Sequence, residues 1–163
     1  MHWKVRREFL GRVEIFGDLG NRELKAIAKS CSESEFEDGE YLCQQGERGI
    51  AAFLVVSGQI EIIEKLADDD TSEREVLVAT LGQGAFVGEL SIIDGAQRVA
   101  SVRARGAVKT LVLTQWAMQG LLKSKPSIAA AMLPVIVKRF RQTTQELREH
   151  CAESEHRRQS AMH

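Results

Sequence analysis

The middle of the chain constrains the fold most strongly, because short apolar segments alternate there with glycine. Nine glycines fall between residues 33 and 113: Gly39, Gly46, Gly49, Gly58, Gly82, Gly84, Gly88, Gly95 and Gly106. Short segments with glycine turns are typical of an antiparallel sandwich or jelly roll, and we predict seven or eight strands. Gly58 is predicted to form the turn of a hairpin between the segments FLVV and IEII.

Residues 4–30 have the spacing of helices rather than strands. Asn21 is predicted to cap the second of two helices, because its side chain can accept a hydrogen bond from a first-turn amide. The apolar stripe of the first helix consists of Phe9, Leu10, Val13 and Phe16.

Helical spacing returns near the end of the sequence. Thr114 is predicted to cap a short helix, and Pro126 to lie in the first turn of a long helix that continues to about residue 155. Pro134 lacks an amide donor, so we expect a kink or a helix junction there. A short seam is formed by residues that are spaced alternately by three and four: Leu133, Ile136, Phe140, Thr143 and Leu147. This seam is consistent both with packing on the sheet and with pairing with a second copy of the chain.

Together these patterns predict one α+β domain over residues 1–163. Its centre, residues 31–113, is an antiparallel β-roll (double-stranded jelly roll) flanked by N-terminal helices (1–30) and by C-terminal segments with a long helix (114–155). A polar tail follows at residues 156–163. A chain of this length is able to bury a core of this kind.

Charge is distributed unevenly, although the net charge is only −1. Residues 31–75 contain thirteen acidic and three basic residues, whereas residues 76–163 contain six acidic and twelve basic residues. The acidic stretch is interpreted as a solvated face, with a docking surface as the alternative. The basic residues form no compact block interleaved with aromatic residues, so we do not expect direct binding of nucleic acid.

Histidine and cysteine exclude several classes of site. The four histidines lie near the termini, at positions 2, 150, 156 and 163, so none remains in the middle for a metal centre or a Ser-His-Asp arrangement. Three widely spaced cysteines, Cys31, Cys43 and Cys151, indicate neither a disulfide framework nor a metal site. With no signal peptide and no apolar run near the ~20 residues of a membrane span, we expect a cytoplasmic protein that is not an enzyme.

One segment, residues 84–102, combines the groups that bind a nucleotide monophosphate. Glu89 to Asp94 can form a short helical turn whose first amides are free to bind phosphate. Arg98 can return to the start of that turn and pair with phosphate oxygens, while Glu89 can accept hydrogen bonds from ribose hydroxyls. From the residues alone, a structural ion pair between Glu89 and Arg98 is an equal alternative.

The sequence FVGELSIIDGAQRVASVRA closely resembles the phosphate-binding cassette of cyclic nucleotide-binding domains, the family of the catabolite activator protein and the protein kinase A regulatory subunits. FLGRVEIFGDLGNRELKAIAKSC resembles the N-terminal helices of this family, and EDGEYLCQQGE with FLVVSGQIEI resembles its first strands. The resemblance covers almost the whole chain. It implies the β-roll fold with a cyclic nucleotide as ligand, and it weakens the interpretation as an ion pair.

The resemblance implies a role for each residue of the cassette. Glu89 would bind the ribose 2′-hydroxyl, and Arg98 would pair with the cyclic phosphate. Neighbouring residues would supply backbone amides or the wall of the pocket: Gly88, Leu90, Val99 and Ala100.

Two further features concern the base of the nucleotide. Thr143 and Thr144 align with hydroxyl residues that read the adenine amino group, one from each subunit, which would require a homodimer through the C-terminal helix. The alternative for this pair is a role as exposed polar residues of a helix. Val99 stands where relatives carry Ser or Thr, so a side-chain hydroxyl contact is missing, which favours cAMP over cGMP.

The resemblance therefore implies a stand-alone receptor for cAMP, with cGMP or a cyclic dinucleotide as other ligands and with no resident cofactor or metal. Ligand would move the C-terminal helix towards the cassette and so signal to an unidentified effector protein. Because only the short polar tail (156–163) follows that helix, we expect no helix-turn-helix and no direct contact with DNA, unless the sequence is a fragment. The alternative function is a degenerate domain that binds no nucleotide and serves as a protein–protein docking module.

Overall fold

The computed structural model describes residues 1–67 and 73–161. The N-terminal elements are α1 (Trp3–Gly11), a 3₁₀ turn (Glu14–Phe16) and α2 (Asn21–Ser30). The strands are β1 (Ser32–Phe36), β2 (Tyr41–Cys43), β3 (Ala51–Ala67), β4 (Glu73–Leu81), β5 (Phe86–Val87) and β6 (Ser101–Thr114). The remaining helices are α3 (Ser91–Asp94), α4 (Gln115–Ser124) and α5 (Pro126–Ala161).

The six strands form one antiparallel sheet, and the helices flank it. The strand order is β1–β6–β3–β4, with β2 paired to β6 and β5 paired to β3. These pairings confirm the predicted antiparallel roll with flanking helices and a long C-terminal helix. The described residues contain six strands rather than seven or eight, because β3 and β6 are long and uninterrupted.

The predicted hairpin at Gly58 is wrong. β3 runs through Gly58 as a single strand, and its register against β6 shifts on both sides of Ser57. Gly58 has a φ of +92°, and a Cβ atom there would collide with the backbone carbonyl of Ala107. The glycine therefore allows a bulge, where the strand bends and the facing strand comes close, instead of a turn.

β3 and β6 separate two hydrophobic cores, because alternate residues of a strand face opposite sides. Ala52 and Leu54 of β3 pack with the helices, whereas Phe53 and Val55 pack inside the roll. β6 alternates in the same way. The continuous apolar run of β3 is thus the sequence of a strand that is buried on both faces.

The N-terminal helices cover one of these cores. α1 and α2 bury Leu10 and Ile27 almost completely. The predicted cap at Asn21 is wrong by one residue, because Gly20 takes the cap position and offers no side chain. In the first turn, the Glu23 carboxylate accepts a hydrogen bond from its own backbone amide. This hydrogen bond is the main cause of the lowered pKa of Glu23.

The C-terminal helices begin where the sequence predicts. Thr114 Oγ1 accepts a hydrogen bond of 3.2 Å from the Ala117 amide at the start of α4, and Pro126 is the first residue of α5. The axes of α4 and α5 meet at 111°. Pro134 lies inside α5 and not at a helix junction, since the chain changes direction earlier, at Lys125.

Only the first part of α5 packs on the rest of the protein. Ile128 and Met132 are buried, whereas Phe140 is 71% exposed and Leu147 is 62% exposed. The helix continues to Ala161, so most of the predicted polar tail is helical. From Phe140 onwards the seam faces solvent rather than the sheet.

Neither a single membrane-spanning helix nor a cluster of metal ligands is found among the described residues. None of their helices has, by itself, both the length and the apolar composition that crossing a membrane requires. The bent pair of α4 and α5 meets these criteria when the two helices are taken together. In the same part of the chain, no three His, Cys, Asp or Glu side chains cluster in a way that could hold a metal ion.

Candidate functional site

An open cavity of about 500 Å³ lies between residues 86–100 and the strands that face them. Glu89 and Arg98 bring opposite charges to this cavity. The strands contribute apolar side chains, among them Cys43, Ile62, Leu81 and Val102. Such a mixed lining suits a small ligand with a charged part and an apolar part.

Arg98 is more deeply buried than Glu89. Only 7% of it is exposed, and Nη2 donates to the carbonyl oxygen of Ala51. Nε and Nη1 have no partner among the described residues. A buried guanidinium with unpaired donors is unfavourable, because these donors have lost their hydrogen bonds to water. Arg98 is therefore suited to an anionic group that enters the cavity.

Gly88 makes room for this guanidinium. Its φ is +81°, and a Cβ atom at this position would collide with Nη1 of Arg98. The backbone conformation and the available space therefore both require glycine. β5 ends immediately before Gly88, so the chain turns at the arginine and continues towards α3.

Backbone hydrogen bonds hold Arg98 against the loop between β2 and β3. The Arg98 amide donates to the Glu47 carbonyl at 2.7 Å, and the Arg98 carbonyl accepts from the Gly46 amide at 2.8 Å. Close by, Ser101 Oγ accepts a hydrogen bond of 2.9 Å from the Gln45 amide. The position of the arginine is thus fixed by this chain alone.

Glu89 pairs with Arg139 of α5. Nη1 of Arg139 lies 2.5 Å from Oε1 of Glu89, and Nη2 of Arg139 lies 3.6 Å from Oε2 of Glu14. The ion pair between Glu89 and Arg98, an alternative from the sequence, does not occur among the described residues. Arg139 therefore connects the cavity, the N-terminal 3₁₀ turn and the C-terminal helix.

Sequence reasoning missed Arg139, although one signal pointed to it. Arg139 precedes Thr143 by one helical turn, so both lie on the same face of α5. The base-reading role expected for Thr143 could have drawn attention to that face. The sequence does not say which turn of a long helix reaches the cavity, and this is why the residue was not found.

The structure brings six of the eight predicted site residues to the cavity: Gly88, Glu89, Leu90, Arg98, Val99 and Ala100. Thr143 and Thr144 do not line it. Their hydroxyls donate to carbonyl oxygens of their own helix, those of Arg139 at 3.1 Å and Phe140 at 2.9 Å. For either threonine to contact a ligand in a cavity of this kind, α5 must move or a second copy must supply its own α5.

Backbone donors complete the polar part of the cavity. Among the described residues, none of the backbone hydrogen bonds outside helices and strands is donated by the amides of Leu90, Val99 or Ala100. The Val99 side chain stands at the rim and is 83% exposed. Free amides close to a guanidinium are a typical arrangement for binding phosphate.

Cys43 contributes a neutral group to the lining. Burial raises the pKa of the Cys43 thiol, and the positive charge of Arg98 offsets part of that increase. The thiol is therefore protonated at neutral pH and behaves as a small apolar group. The groups of the cavity can accordingly bind a molecule that carries an anion, hydroxyls and an apolar ring.

A comparison with protein families matches the same part of the chain. The family model described as the cyclic nucleotide-binding domain matches residues 33–125. This range is more than half of the sequence, and it contains the complete cavity-forming segment.

Two curated proteins are similar in sequence. A CRP-like cAMP-activated global transcriptional regulator of Mycobacterium tuberculosis is 27% identical over 140 residues, which are 86% of this chain and 61% of that protein. A cGMP-dependent protein kinase of Caenorhabditis elegans is 32% identical over 106 residues, which are 64% of this chain and 13% of that protein. The chain thus spans about three fifths of the first relative and a small part of the second.

Solved structures are similar in fold. The N-terminal domain of a transcriptional regulator from Streptomyces coelicolor has a TM-score of 0.72 at 28% identity, covering 84% of this chain and 95% of that one. The catabolite activator protein of Thermus thermophilus has a TM-score of 0.66 at 26% identity, covering 82% of this chain and 61% of that one.

Proposed function

Because the chain belongs to the family of cyclic nucleotide-binding domains, we propose that it is a receptor for a cyclic mononucleotide and that cAMP is its preferred ligand. The observation that carries this proposal is the buried Arg98 guanidinium, whose Nε and Nη1 are unpaired at the cavity. A cyclic phosphate would supply acceptors for both donors. The names of the two similar proteins, one cAMP-activated and one cGMP-dependent, support this class of ligand.

The phosphate would lie between Arg98 and the free backbone amides. The amides of Leu90 and Val99 lie on the two chain segments that flank the cavity, so each can donate to a phosphate oxygen. Because Gly88 has no side chain, the guanidinium can remain close to the backbone at this point. A bound anion would relieve the cost of the unpaired donors of Arg98.

The ribose would compete with Arg139 for Glu89. A 2′-hydroxyl that donates to the Glu89 carboxylate would occupy the position of Nη1 of Arg139, 2.5 Å from that carboxylate. Arg139 would then keep only its contact with Glu14. The Glu89–Arg139 pair is accordingly the proposed point at which ligand binding becomes movement of α5.

The base would pack on the apolar residues contributed by the strands. Val99 offers no hydroxyl to guanine or to the phosphate, which favours cAMP and leaves cGMP as the weaker ligand. Thr143 and Thr144 would read the adenine amino group from a repositioned α5 or from the α5 of a second copy. We therefore include a homodimer through α5 in the proposal, with the exposed Phe140 and Leu147 as apolar contacts.

Movement of α5 would transmit the signal to an effector protein. Direct binding of nucleic acid is not part of the proposal, because the basic residues form no compact aromatic-interleaved block. A cytoplasmic location, the lack of catalysis and the lack of a resident cofactor or metal stay predictions from the sequence.

One observation favours a second candidate function, a docking module that binds no nucleotide. The two side chains that are expected to hold the ligand already have protein partners, since Nη2 of Arg98 donates to Ala51 and Glu89 pairs with Arg139. A domain in which these contacts are permanent would keep its fold without a ligand. The titration described next separates this candidate from the receptor.

The test is calorimetric titration of nucleotide-free protein with cAMP and then with cGMP. We expect saturable binding of one cAMP per chain and weaker binding of cGMP. Absence of heat with both nucleotides, on protein shown to be folded and empty, would contradict the receptor and support the docking module.

A further inference from the structure

We propose that a groove beside Trp116 binds an acidic, amphipathic segment of a partner protein. The groove has a volume of about 410 Å³ and lies between the end of α2, at Ser30, and the outer face of α4. This inference rests on the proposed function in one respect, because it assigns a chemical class to the effector of that receptor.

The shape of the groove is suited to an apolar side chain. Trp116 is 86% exposed, which is unusual for the largest apolar side chain and typical of residues that anchor interfaces. Gly120 follows one turn later, and a Cβ atom there would meet nothing within 4 Å. Leu121 also lines the groove and is almost completely buried. An indole thus stands beside a depression that none of the described side chains fills.

The charge around the groove is positive. Lys123 lines the groove, and Lys29 adjoins Ser30 on the opposite side. Both lysines are exposed, and neither forms an ion pair within the described residues.

The single acidic residue of α2 does not change this balance. Glu23 lies in the first turn of α2, whereas the groove is at the last turn. Its Oε1 accepts a hydrogen bond of 3.1 Å from Ser127 Oγ. Carboxylates of a partner would therefore find unpaired lysines on both sides of the groove.

Shape and charge together favour a peptide over a membrane surface. A membrane surface takes up protruding apolar residues that are flanked by basic ones, whereas here Trp116, Ala117 and Leu121 line a concavity that one side chain can enter. An amphipathic helix with acidic flanks supplies both the apolar anchor and the opposite charge. The acidic stretch of a second copy is a competing occupant, and the experiment below distinguishes it.

α4 is also placed to report the state of the cavity. Gln115, the first residue of α4, places its side chain against Gly95, which follows α3. A Cβ atom added to Gly95 would lie 2.5 Å from Nε2 of Gln115. The other end of α4 leads through Lys125 into α5. A partner held at Trp116 is therefore bound to the helix that joins the two moving parts of the proposed receptor.

The experiment uses tryptophan fluorescence of the Trp3→Phe variant, in which Trp116 is the one remaining tryptophan. The probe is a synthetic 14-residue peptide with leucine on one helical face and glutamate elsewhere; the control peptide carries lysine in place of glutamate. We expect a saturable blue shift with the acidic peptide and at least ~10-fold weaker binding of the basic one.

Variants locate the binding surface. Gly120→Leu places an apolar side chain in the groove at a position where a Cβ atom meets nothing within 4 Å. It should weaken binding of the acidic peptide ~10-fold or more, as should Lys29→Glu combined with Lys123→Glu. Arg148→Glu changes the same kind of charge on the distal part of α5 and should leave binding unchanged. Circular dichroism confirms that each variant is folded.

Four outcomes would overturn the proposal. These are no shift with the acidic peptide, equal binding of both peptides, binding of phosphatidylserine vesicles without binding of the peptide, and self-association in sedimentation that Gly120→Leu abolishes. Titration of the same variants with cAMP keeps the two proposals separate, because Trp116, Gly120 and Lys123 do not line the nucleotide cavity. Peptide binding without cAMP binding would contradict the receptor and retain the docking groove.

Discussion

The loop from Gly88 to Ala100 and the distal part of α5, from Phe140 to Ala161, differ in what holds them in place. Backbone hydrogen bonds fix the loop against the β2–β3 loop, and its arginine is buried. The distal helix contains no buried residue. Contacts within the described residues therefore hold the loop in place, whereas the distal helix buries none of its residues against them.

This difference separates two parts of the proposed function. In the proposed receptor, affinity for a phosphate would depend on the loop, which lies within a single chain. Selectivity for the base and transmission of the signal would depend on α5, whose Arg139 pairs with Glu89 at the cavity. Variants in the loop should change affinity strongly for every cyclic nucleotide, and variants in α5 should act more weakly or more selectively.

Arg98→Ala should have the largest effect. Loss of two charge-assisted hydrogen bonds of about 1.5 kcal/mol or more each corresponds to roughly a hundredfold weaker binding of cAMP and cGMP. Calorimetry measures this loss, and Arg105→Ala, an exposed arginine of β6, is the control. Equal affinity in the Arg98 variant would contradict the role of the loop.

Gly88→Ala should weaken binding by ~10-fold or more, because its Cβ displaces the guanidinium. Gly84→Ala is a matched control, since Gly84 has a φ of +88° but a Cβ there meets nothing within 4 Å. The two variants share the cost of a positive φ, and only the first has the clash. Similar affinities for cAMP in both would mean that the clash is not decisive.

Thr143→Ala combined with Thr144→Ala should weaken cAMP binding by ~10-fold and leave cGMP binding unchanged, as expected for groups that read adenine. Ser154→Ala is the control, because Ser154 Oγ makes the same kind of bond, 2.8 Å to the His150 carbonyl, farther along α5. Sedimentation with cAMP should show a dimer. An equal loss for both nucleotides, or no loss, would remove α5 from base recognition.

Arg139→Ala should have the smallest effect on cAMP binding, and it should strengthen binding where the other variants weaken it. Removal of the side chain that competes for Glu89 should strengthen cAMP binding by ~3-fold, a typical value for loss of a partly exposed ion pair. Arg141→Ala, an exposed arginine of the same turn, should change nothing. Weaker binding in the Arg139 variant would mean that Arg139 contacts the nucleotide itself.

Local signals explain which parts of the fold could be predicted. Thr114 and Pro126 mark the starts of α4 and α5 because a cap and a first-turn proline act on the nearest residues. Gly58 misled the prediction because a turn and a bulge both use glycine with positive φ. The two are distinguished by the facing strand at Ala107, which no local pattern contains.

The candidate site likewise contains residues that local sequence signals could predict and one residue, Arg139, that they could not. Glu89 and Arg98 lie close together in one segment, so the sequence could place both at one cavity. Arg139 is 50 residues from Glu89, and their contact depends on the bend between α4 and α5. Long-range contacts of this kind are set by packing, and packing was not available from the spacing of residues.

α5 extends well beyond its last contact with the cavity. From Arg139 to Ala161 the helix rises about 33 Å at ~1.5 Å per residue. In the proposed receptor this helix would act as a lever whose pivot lies at Arg139, and a tilt of about 10° there would move its far end by about 6 Å. Exchange of the Glu89–Arg139 ion pair for a ribose hydroxyl would thereby become a displacement as large as a side chain at a distant surface.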